Sequence, residues 1–550
     1  MKTKIYILVL SFSIILFCRI TTFGQAPDWQ WAKSAGGISF DVSNSIALDA
    51  NGNSYITGFF YGDTISFGNS TLTSTSYPLY SAIFIAKYDA WGNMVWAKSV
   101  SGTIGCKSNA IAVDANGNSY ITGYFNEDSI TFGNVTLVNT FGSSEMFVVK
   151  YDASGNVIWA KKALGTTQEE GVSLTVDANG DLYVTGYFQS STITFDTIVL
   201  SNLGIESVFV VKYDSLGNVI WAKSAGNADA VGNGIAIDAN KNVYVTGFFK
   251  DSISFDSATI LNGSSLITSD IFIVKYDSLG NVIWAKSAGG ASDDYVSSIK
   301  VDINGNSYLT GEFASPSIIF GATTLVNAGV CNIFIVKYDP GGNIIWAKSA
   351  GGTSGDYGKD IALDTNGNLF VTGNFGSSMI TFGSTVLTSN GDFDFFVAKY
   401  DSSGNILWAK SAGGILNELG YGIAVDAFGN SYVTGSFESP NVTFGSSDII
   451  TAGGTDFFIA KLNSTTGISE LNNSSSTISI FPNPTTSRIS ITNSKPIDEI
   501  TITNPLGQII YRAKPDDKNV SVQLNVADGI YFVTLTSGNQ NITKKVIVQR

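Results

Sequence analysis

The triplet Trp-Ala-Lys occurs seven times in this chain, starting at Trp31, Trp96, Trp159, Trp221, Trp284, Trp346 and Trp408, at steps of 62 to 65 residues. Two other markers keep the same period. A Thr-Gly pair ends at Gly58, Gly123, Gly186, Gly247, Gly311, Gly373 and Gly435, and a Phe-rich segment carries Lys87, Lys150, Lys212, Lys275, Lys337, Lys399 and Lys461. A fixed period means repeated supersecondary units, each burying its apolar surface against its neighbours. The 550 residues therefore resolve into one array and a remainder, rather than three or four unrelated domains.

One unit, residues 46–99, reads as four strands: Ile46–Asp49, Ser54–Phe60, Ile83–Asp89 and Met94–Ser99. The turns Asp49-Ala-Asn-Gly-Asn53 and Asp89-Ala-Trp-Gly-Asn93 join them in hairpins, because Asp bonds back to nearby amides and Gly tolerates positive φ. Runs such as Phe209-Val210-Val211 and Val219-Ile220-Trp221 are apolar on both faces and need cover on both sides. Stacking four-stranded sheets radially supplies it, so the fold class is all-β, a seven-bladed β-propeller. A Trp-Ala-Lys strand precedes the first full unit, and the last unit stops after Lys461 without one. The strand around Trp29–Lys33 is thus expected to complete the last blade and close the ring.

Composition narrows the chemistry. Histidine is absent, which removes Ser-His and Cys-His nucleophile pairs and His-containing metal sites. The net charge of −14 provides no basic footprint, so no nucleic-acid partner is expected. Residues 1–24, with Lys2, Lys4 and an apolar stretch from Ile5 to Phe17, read as a cleavable signal peptide, and no later stretch is apolar enough to span a membrane. Phe17 and Arg19 around Cys18 fit a lipoprotein cleavage box poorly. Cys106 and Cys331 are more than three repeats apart, so a bridge between them is not expected.

The runs Asn-Gly-Asn-Ser-Tyr-Ile-Thr-Gly at 51–58, Lys-Tyr-Asp at 87–89 and Trp-Ala-Lys-Ser-Ala-Gly-Gly at 408–414 resemble the SBBP repeats of seven-bladed β-propellers in exported bacterial proteins. The resemblance covers residues 28–463 and implies a fold, not an activity. A Ser-, Thr- and Asn-rich linker, 464–477, follows. Seven short β-rich runs over 478–550 then suggest a small β-sandwich. Phe481-Pro482-Asn483-Pro484, Leu506-Gly507-Gln508, Gly529-Ile530-Tyr531-Phe532 and Lys544-Lys545-Val546-Ile547-Val548 are similar to the type A sorting domain of type IX secretion. That resemblance implies the type IX machinery as partner and a secreted or cell-surface location.

A site should break the sevenfold sameness. The Asp-x-Asn-Gly-Asn turns are similar to a calcium loop but lack its distal bidentate carboxylate, so they read as structural; no cofactor is predicted, and calcium (Ca2+) has no support beyond this similarity. The third-strand lysines are expected to pair with Asp49, Asp114, Asp177, Asp238, Asp302, Asp364 and Asp426. The second-to-third and fourth-to-first connections are long, varied and on one face, and the former carries a Phe-containing segment expected to form an extra hairpin. Eight residues before the first-strand aspartate, five repeats carry an acid: Asp41, Glu169, Asp294, Asp356 and Glu418. With Tyr295, Tyr357 and Tyr421, this ring either binds a cation or polyhydroxylated ligand or caps loops. Three readings stand open: a non-enzymatic binding or adhesion scaffold for a glycan or protein, an extracellular polysaccharide hydrolase or lyase, and a structural surface-layer component. The first is favoured because no asymmetric catalytic constellation is visible.

Overall fold

The computed structural model describes residues 26–549, apart from 75–79, 101, 103, 127, 257, 264–267, 465–478, 484, 505–506 and 538–539. The expected signal peptide and nearly all of the expected linker lie outside the described residues. The chain divides between 465 and 466 into two compact units. Among the described residues all regular structure is strand, and no helix is long and apolar enough to cross a membrane.

In the first unit, the described residues form seven four-stranded antiparallel arrangements, one of them extended to six strands by a hairpin of the next repeat. The third strands are buried on both faces, as in Asp456–Leu462, where every residue is buried. The seven apolar clusters of this unit each join two consecutive sheets. In one of them Trp31, Phe457 and Ile459 pack with Ile46, Ile56 and Phe84, so the last sheet packs on the first. The N-terminal strand Trp29–Ala35 runs antiparallel to Asp456–Leu462, with Ala32 opposite Ala460 and Ala35 opposite Phe457. That is the pairing the offset in the sequence anticipates.

The same contacts recur at successive junctions. The Trp31 indole N–H donates to Ala90 O at 3.4 Å, and those of Trp96, Trp159, Trp221, Trp284 and Trp346 donate likewise to the third-to-fourth turn of the next sheet. Each third-strand lysine sits 4.5 to 5.1 Å from the ring centre of a second-strand aromatic residue. This covers its stem and places its ammonium over a π face. Lys87, Lys275 and Lys399 reach Asp49, Asp238 and Asp364 at 3.6, 3.8 and 3.3 Å. Among the described residues the expected ion pair is not formed in the other four repeats: Lys150, Lys337 and Lys461 donate to the carbonyls of Ser215, Ser402 and Ala90, and in the third repeat Lys212 pairs with Asp181 at 3.3 Å while Asp177 takes Lys241 of the next repeat at 2.7 Å. The exchange in the third repeat comes from a substitution in each turn, since Asp181 and Lys241 stand where other repeats carry Asn and Gly.

Each second-to-third connection contains a short hairpin, for example Thr64–Phe67 with Ser70–Thr73. Its Phe, buried in all seven repeats, is a packing residue: Phe67 lies 5.7 Å from Phe84 and 5.5 Å from Phe457. Hairpin and fourth-to-first connection bond to each other at Gly36 and Ser66, so both lie on one side of the sheets. Cys106 and Cys331 are buried and are not joined in a disulfide among the described residues.

In the second unit, Ser479–Phe481, Arg488–Ile497 and Asp517–Gln523 form one sheet, and Ile509–Ala513, Glu499–Thr503, Gly529–Ser537 and Gln540–Val548 another. Ile489, Ile491 and Val522 of the first share one apolar cluster with Ile500, Ile502, Val533 and Leu535 of the second.

Candidate functional site

The first strands begin earlier than the apolar pattern suggests, at the acid rather than near the middle: Asp41–Leu48, Cys106–Val113, Glu169–Val176, Ala230–Ile237, Asp294–Val301, Asp356–Leu363 and Glu418–Val425. In each of them the pairing with the second strand skips one residue, a β-bulge. The skipped residues are Asn44, Asn109, Val172, Asn233, Ser297, Lys359 and Tyr421. A bulged residue leaves the ladder and its side chain is re-aimed. All seven line one cavity of about 360 Å3, to which every sheet of the repeat unit contributes.

The cavity wall is polar and uneven. Asn44, Asn109 and Asn233 each donate Nδ2–H to a carbonyl of the next sheet, those of Ser108, Gly171 and Val296, at 2.8 to 3.0 Å. Asn109 also donates to Glu170 at 2.8 Å, and Glu170 accepts the Tyr187 hydroxyl at 2.9 Å. Burial raises the Glu170 carboxyl above its ordinary value against these two bonds. The carboxylate of Asp360 is consumed by the scaffold, accepting from Ser298 Oγ, Ile361 N and Ile423 N at 2.6 to 2.9 Å. The Lys359 ammonium lies 3.5 Å from Glu312 and 4.8 Å from the Tyr357 ring centre. Lys300 lines the cavity without an ion pair among the described residues.

The five acids singled out in the sequence do not line this cavity. Each is at most 1% exposed and ties down loops. Asp41 accepts the Gly37 N–H at 2.6 Å, Asp356 that of Gly352 at 2.7 Å, and Glu418 that of Gly414 at 2.5 Å. Asp294 accepts Ser315 N–H and Oγ–H at 3.1 and 2.8 Å, and Glu169 accepts Ser190 Oγ–H. Each of the five thus accepts a hydrogen bond from a loop amide or a serine. Across each sheet junction the acid lies beside the head of the preceding third strand: Asp41 beside Asp456, Glu169 beside Glu145, Asp294 beside Asp270, and Glu418 beside Asp394. Burial pushes Asp41 and Glu169 up to about 7, and Asp294 and Asp394 to about 6. Asp356 has Asn332 as its counterpart; the repeats without an acid pair Cys106 with Ala82 and Ala230 with Ser207.

Of the three tyrosines, Tyr421 lines the cavity. Tyr295 packs edge-on against Phe248 at 5.0 Å, and Tyr357 lies under Lys359 and 6.0 Å from Phe393. The bulge residues escaped sequence reasoning, although their variation was visible: they are unlike one another three positions after a nearly constant acid.

Among the described residues, no group of three or more His, Cys, Asp or Glu is placed to hold a metal. In the Asp-x-Asn-Gly-Asn turns the aspartate oxygens are already occupied: Asp49 Oδ1 accepts the Asn51 and Asn53 amides at 2.9 and 3.0 Å, and Oδ2 accepts Asn53 Nδ2 at 2.8 Å.

Residues 479–549 match the family described as "Secretion system C-terminal sorting domain", and residues 283–312, 345–374 and 407–436 match "Beta-propeller repeat". The chain carries β-propeller repeats and a secretion sorting domain. The sorting domain directs this β-propeller repeat protein through the type IX system to the cell surface or extracellular space. The chain is 26% identical, over 78% of its length, to an uncharacterized WD repeat-containing protein of Acanthamoeba polyphaga mimivirus, of which it covers 38%. Regulatory protein FlaEY of Caulobacter vibrioides is 22% identical over 56% of this chain and 34% of that protein. The chain therefore spans a little over a third of the length of the curated relatives it matches. Among solved structures, PorZ, a surface component of the type-IX secretion system of Porphyromonas gingivalis, aligns with 12% identity and a TM-score of 0.19, covering 94% of this chain and 100% of that one. A gluconolactonase from Xanthomonas campestris aligns with 12% identity and a TM-score of 0.30, covering 64% and 96%.

Proposed function

We propose that this β-propeller repeat protein is an exported, non-enzymatic binding scaffold that takes a glycan in the cavity shared by its first strands. In this reading residues 1–24 are a leader and 28–463 a seven-bladed ring closed by Trp29–Ala35. The linker 464–477 follows, and 478–550 form a sorting β-sandwich. Closure is supported by the Trp31 and Lys461 bonds to Ala90, which repeat between last and first sheets the contacts made at other junctions.

The observation that carries the binding role is the division between uniform junctions and a varied cavity. Seven bulges deliver three amides, a hydroxyl, an ammonium, a phenol and one valine to one polar cavity. Amides, hydroxyls and a few charges converging in a concave site suit a polyhydroxylated ligand, with Tyr421 as the aromatic residue of the lining. The hydrolase or lyase reading loses its proposed acids, which are spent on loop capping; a structural surface-layer role does not require the cavity to vary.

The test is a glycan screen with purified protein and the double variant Lys359→Ala/Tyr421→Ala. Binding of an unchanged glycan, lost in the variant, is the expected result. Chain shortening or an unsaturated product would replace the scaffold by the enzyme, and binding that survives the double variant would move the site elsewhere.

A further inference from the structure

Six residues after the head of the first strand, six repeats carry a small side chain: Ala47, Ala112, Thr175, Ala236, Ala362 and Ala424. In the fifth repeat this position is Lys300. The sheets therefore pack without a long side chain here, and Lys300 breaks the sevenfold sameness for no packing reason. It is exposed, and among the described residues its side chain forms neither an ion pair nor a hydrogen bond.

Lys300 lies where two cavities meet. It lines the polar cavity of the bulges and also a second one, of about 380 Å3, that shares Ile46, Ile111 and Leu174 with the first. The second cavity is walled by residues such as Leu48, Val113, Val176 and Leu363, and among the described residues Lys300 is the one charged side chain of its lining. The acids of the first cavity are already engaged: Asp360 accepts three hydrogen bonds and Glu170 two. Its other cation, Lys359, faces Glu312. An ammonium lining a cavity with apolar walls focuses its field into that space, where it attracts an anion. A lysine that neither packs nor pairs, at the meeting point of two cavities, is therefore free to contact a ligand.

We propose that Lys300 receives the anionic group of an acidic sugar, a uronate carboxylate or a sulfate ester, so that the cavity selects charged over neutral glycans. The assignment rests on the glycan-binding role and narrows its ligand to one class. The bulge residues contact the sugar hydroxyls, and Lys300 its charge. An ammonium is a compact point charge without the planar fork of arginine, so it accepts either anion.

The experiment titrates the full chain by calorimetry, at low and at high salt, with a galacturonate trimer, a sulfated galactose trimer and a galactose trimer. It is repeated with Lys300→Ala, which installs the residue of five other repeats, and with Lys300→Arg, which keeps the charge. The natural chain should bind at least one acidic trimer about tenfold or more tightly than the neutral one, with a gap that narrows at high salt. Lys300→Ala should lose that gap while keeping its circular dichroism spectrum and its affinity for the neutral trimer, and Lys300→Arg should retain it. The acidic trimer that binds more tightly identifies the anion. Equal affinities for all three trimers, or a gap that survives in Lys300→Ala, would overturn the proposal and leave glycan binding standing. Binding of neither acidic trimer would overturn it whether or not the neutral one binds, and a blank glycan screen would remove the role beneath it.

Discussion

Replacing Trp31 by alanine measures whether the last and first sheets form a junction equivalent to the others. Trp31 belongs by pairing to the last sheet, yet its indole donates to Ala90 O in the first and its ring lies 6.0 Å from that of Tyr432. Gly92, at φ 81°, sits so close that an added Cβ would stand 2.8 Å from the indole ring. Trp221 occupies the same place at an interior junction, donating to Ser278 O at 3.2 Å with Gly280 against its ring. Both tryptophans are more than nine-tenths buried. Truncating a buried tryptophan costs about 3–5 kcal/mol, including its hydrogen bond. Unfolding entropy is about 2.1 cal/mol/K per residue, so for a unit of roughly 440 residues a loss of ~4 kcal/mol lowers the midpoint by about 4 °C. Thermal unfolding followed by circular dichroism, which does not depend on the deleted fluorophore, should therefore show equal shifts for Trp31→Ala and Trp221→Ala. A shift below about 1 °C for Trp31→Ala beside a full shift for Trp221→Ala would mean that the junction of last and first sheets is not equivalent to the interior one.

Other outcomes follow from the same contacts. Gly280→Ala places a Cβ at φ 83° and 3.1 Å from the Trp221 ring, and should cost about 1–3 kcal/mol in urea unfolding. Stability should fall as pH rises. The folded chain holds protons on Asp41 up to about pH 7 and on Asp294 and Asp394 up to about pH 6, whereas the unfolded chain releases them near pH 4. Each such group contributes up to about 1.4 kcal/mol per pH unit between those limits, fully present below about pH 4 and lost by about pH 7 for Asp41 and about pH 6 for Asp294 and Asp394, which pH-dependent melting reads directly. Removing residues 479–550 should leave the first unit folded but absent from the cell surface, as scored by surface labelling of intact cells.

The array was legible because its signals are local and repeated: Asx turns, both-face apolar strands and a Trp-Ala-Lys strand displaced to the front of the chain. That displacement anticipated the pairing of Trp29–Ala35 with Asp456–Leu462. The bulge-lined cavity was not legible. Asp41 and its counterparts stood out by recurring, but recurrence is what a packing role produces, and their side chains turn into the junctions instead of the cavity. The bulge at Asn44, Lys359 or Tyr421 has no sequence signature, since an extra residue in a strand is fixed by pairing with a partner strand rather than by its own side chain. The exchange of partners by Lys212 and Lys241 was hidden for a related reason: a one-residue change in a turn moved an ammonium across a junction.

These particulars share a cause. A junction must satisfy buried polar groups from two sheets at once, so its residues change together: Lys162 accompanies Glu145 and Glu169, and the acid is lost at Cys106 and Ala230 where the opposing residues are Ala82 and Ser207. The bulged residues are tied less uniformly: Asn44, Asn109 and Asn233 each bond a carbonyl of the next sheet and Lys359 reaches Glu312, with no residue type shared by all seven positions. Under the proposed glycan-binding role, substitution at Ser297, Lys359 or Tyr421 would change the ligand while leaving the inter-sheet bonds of Asn44, Asn109 and Asn233 in place. Exchanging Lys359 for Asn, the residue of three other repeats, should accordingly alter glycan preference while leaving the unfolding midpoint within about 1 °C. A larger loss of stability would place Lys359 among the structural residues and remove it from the site.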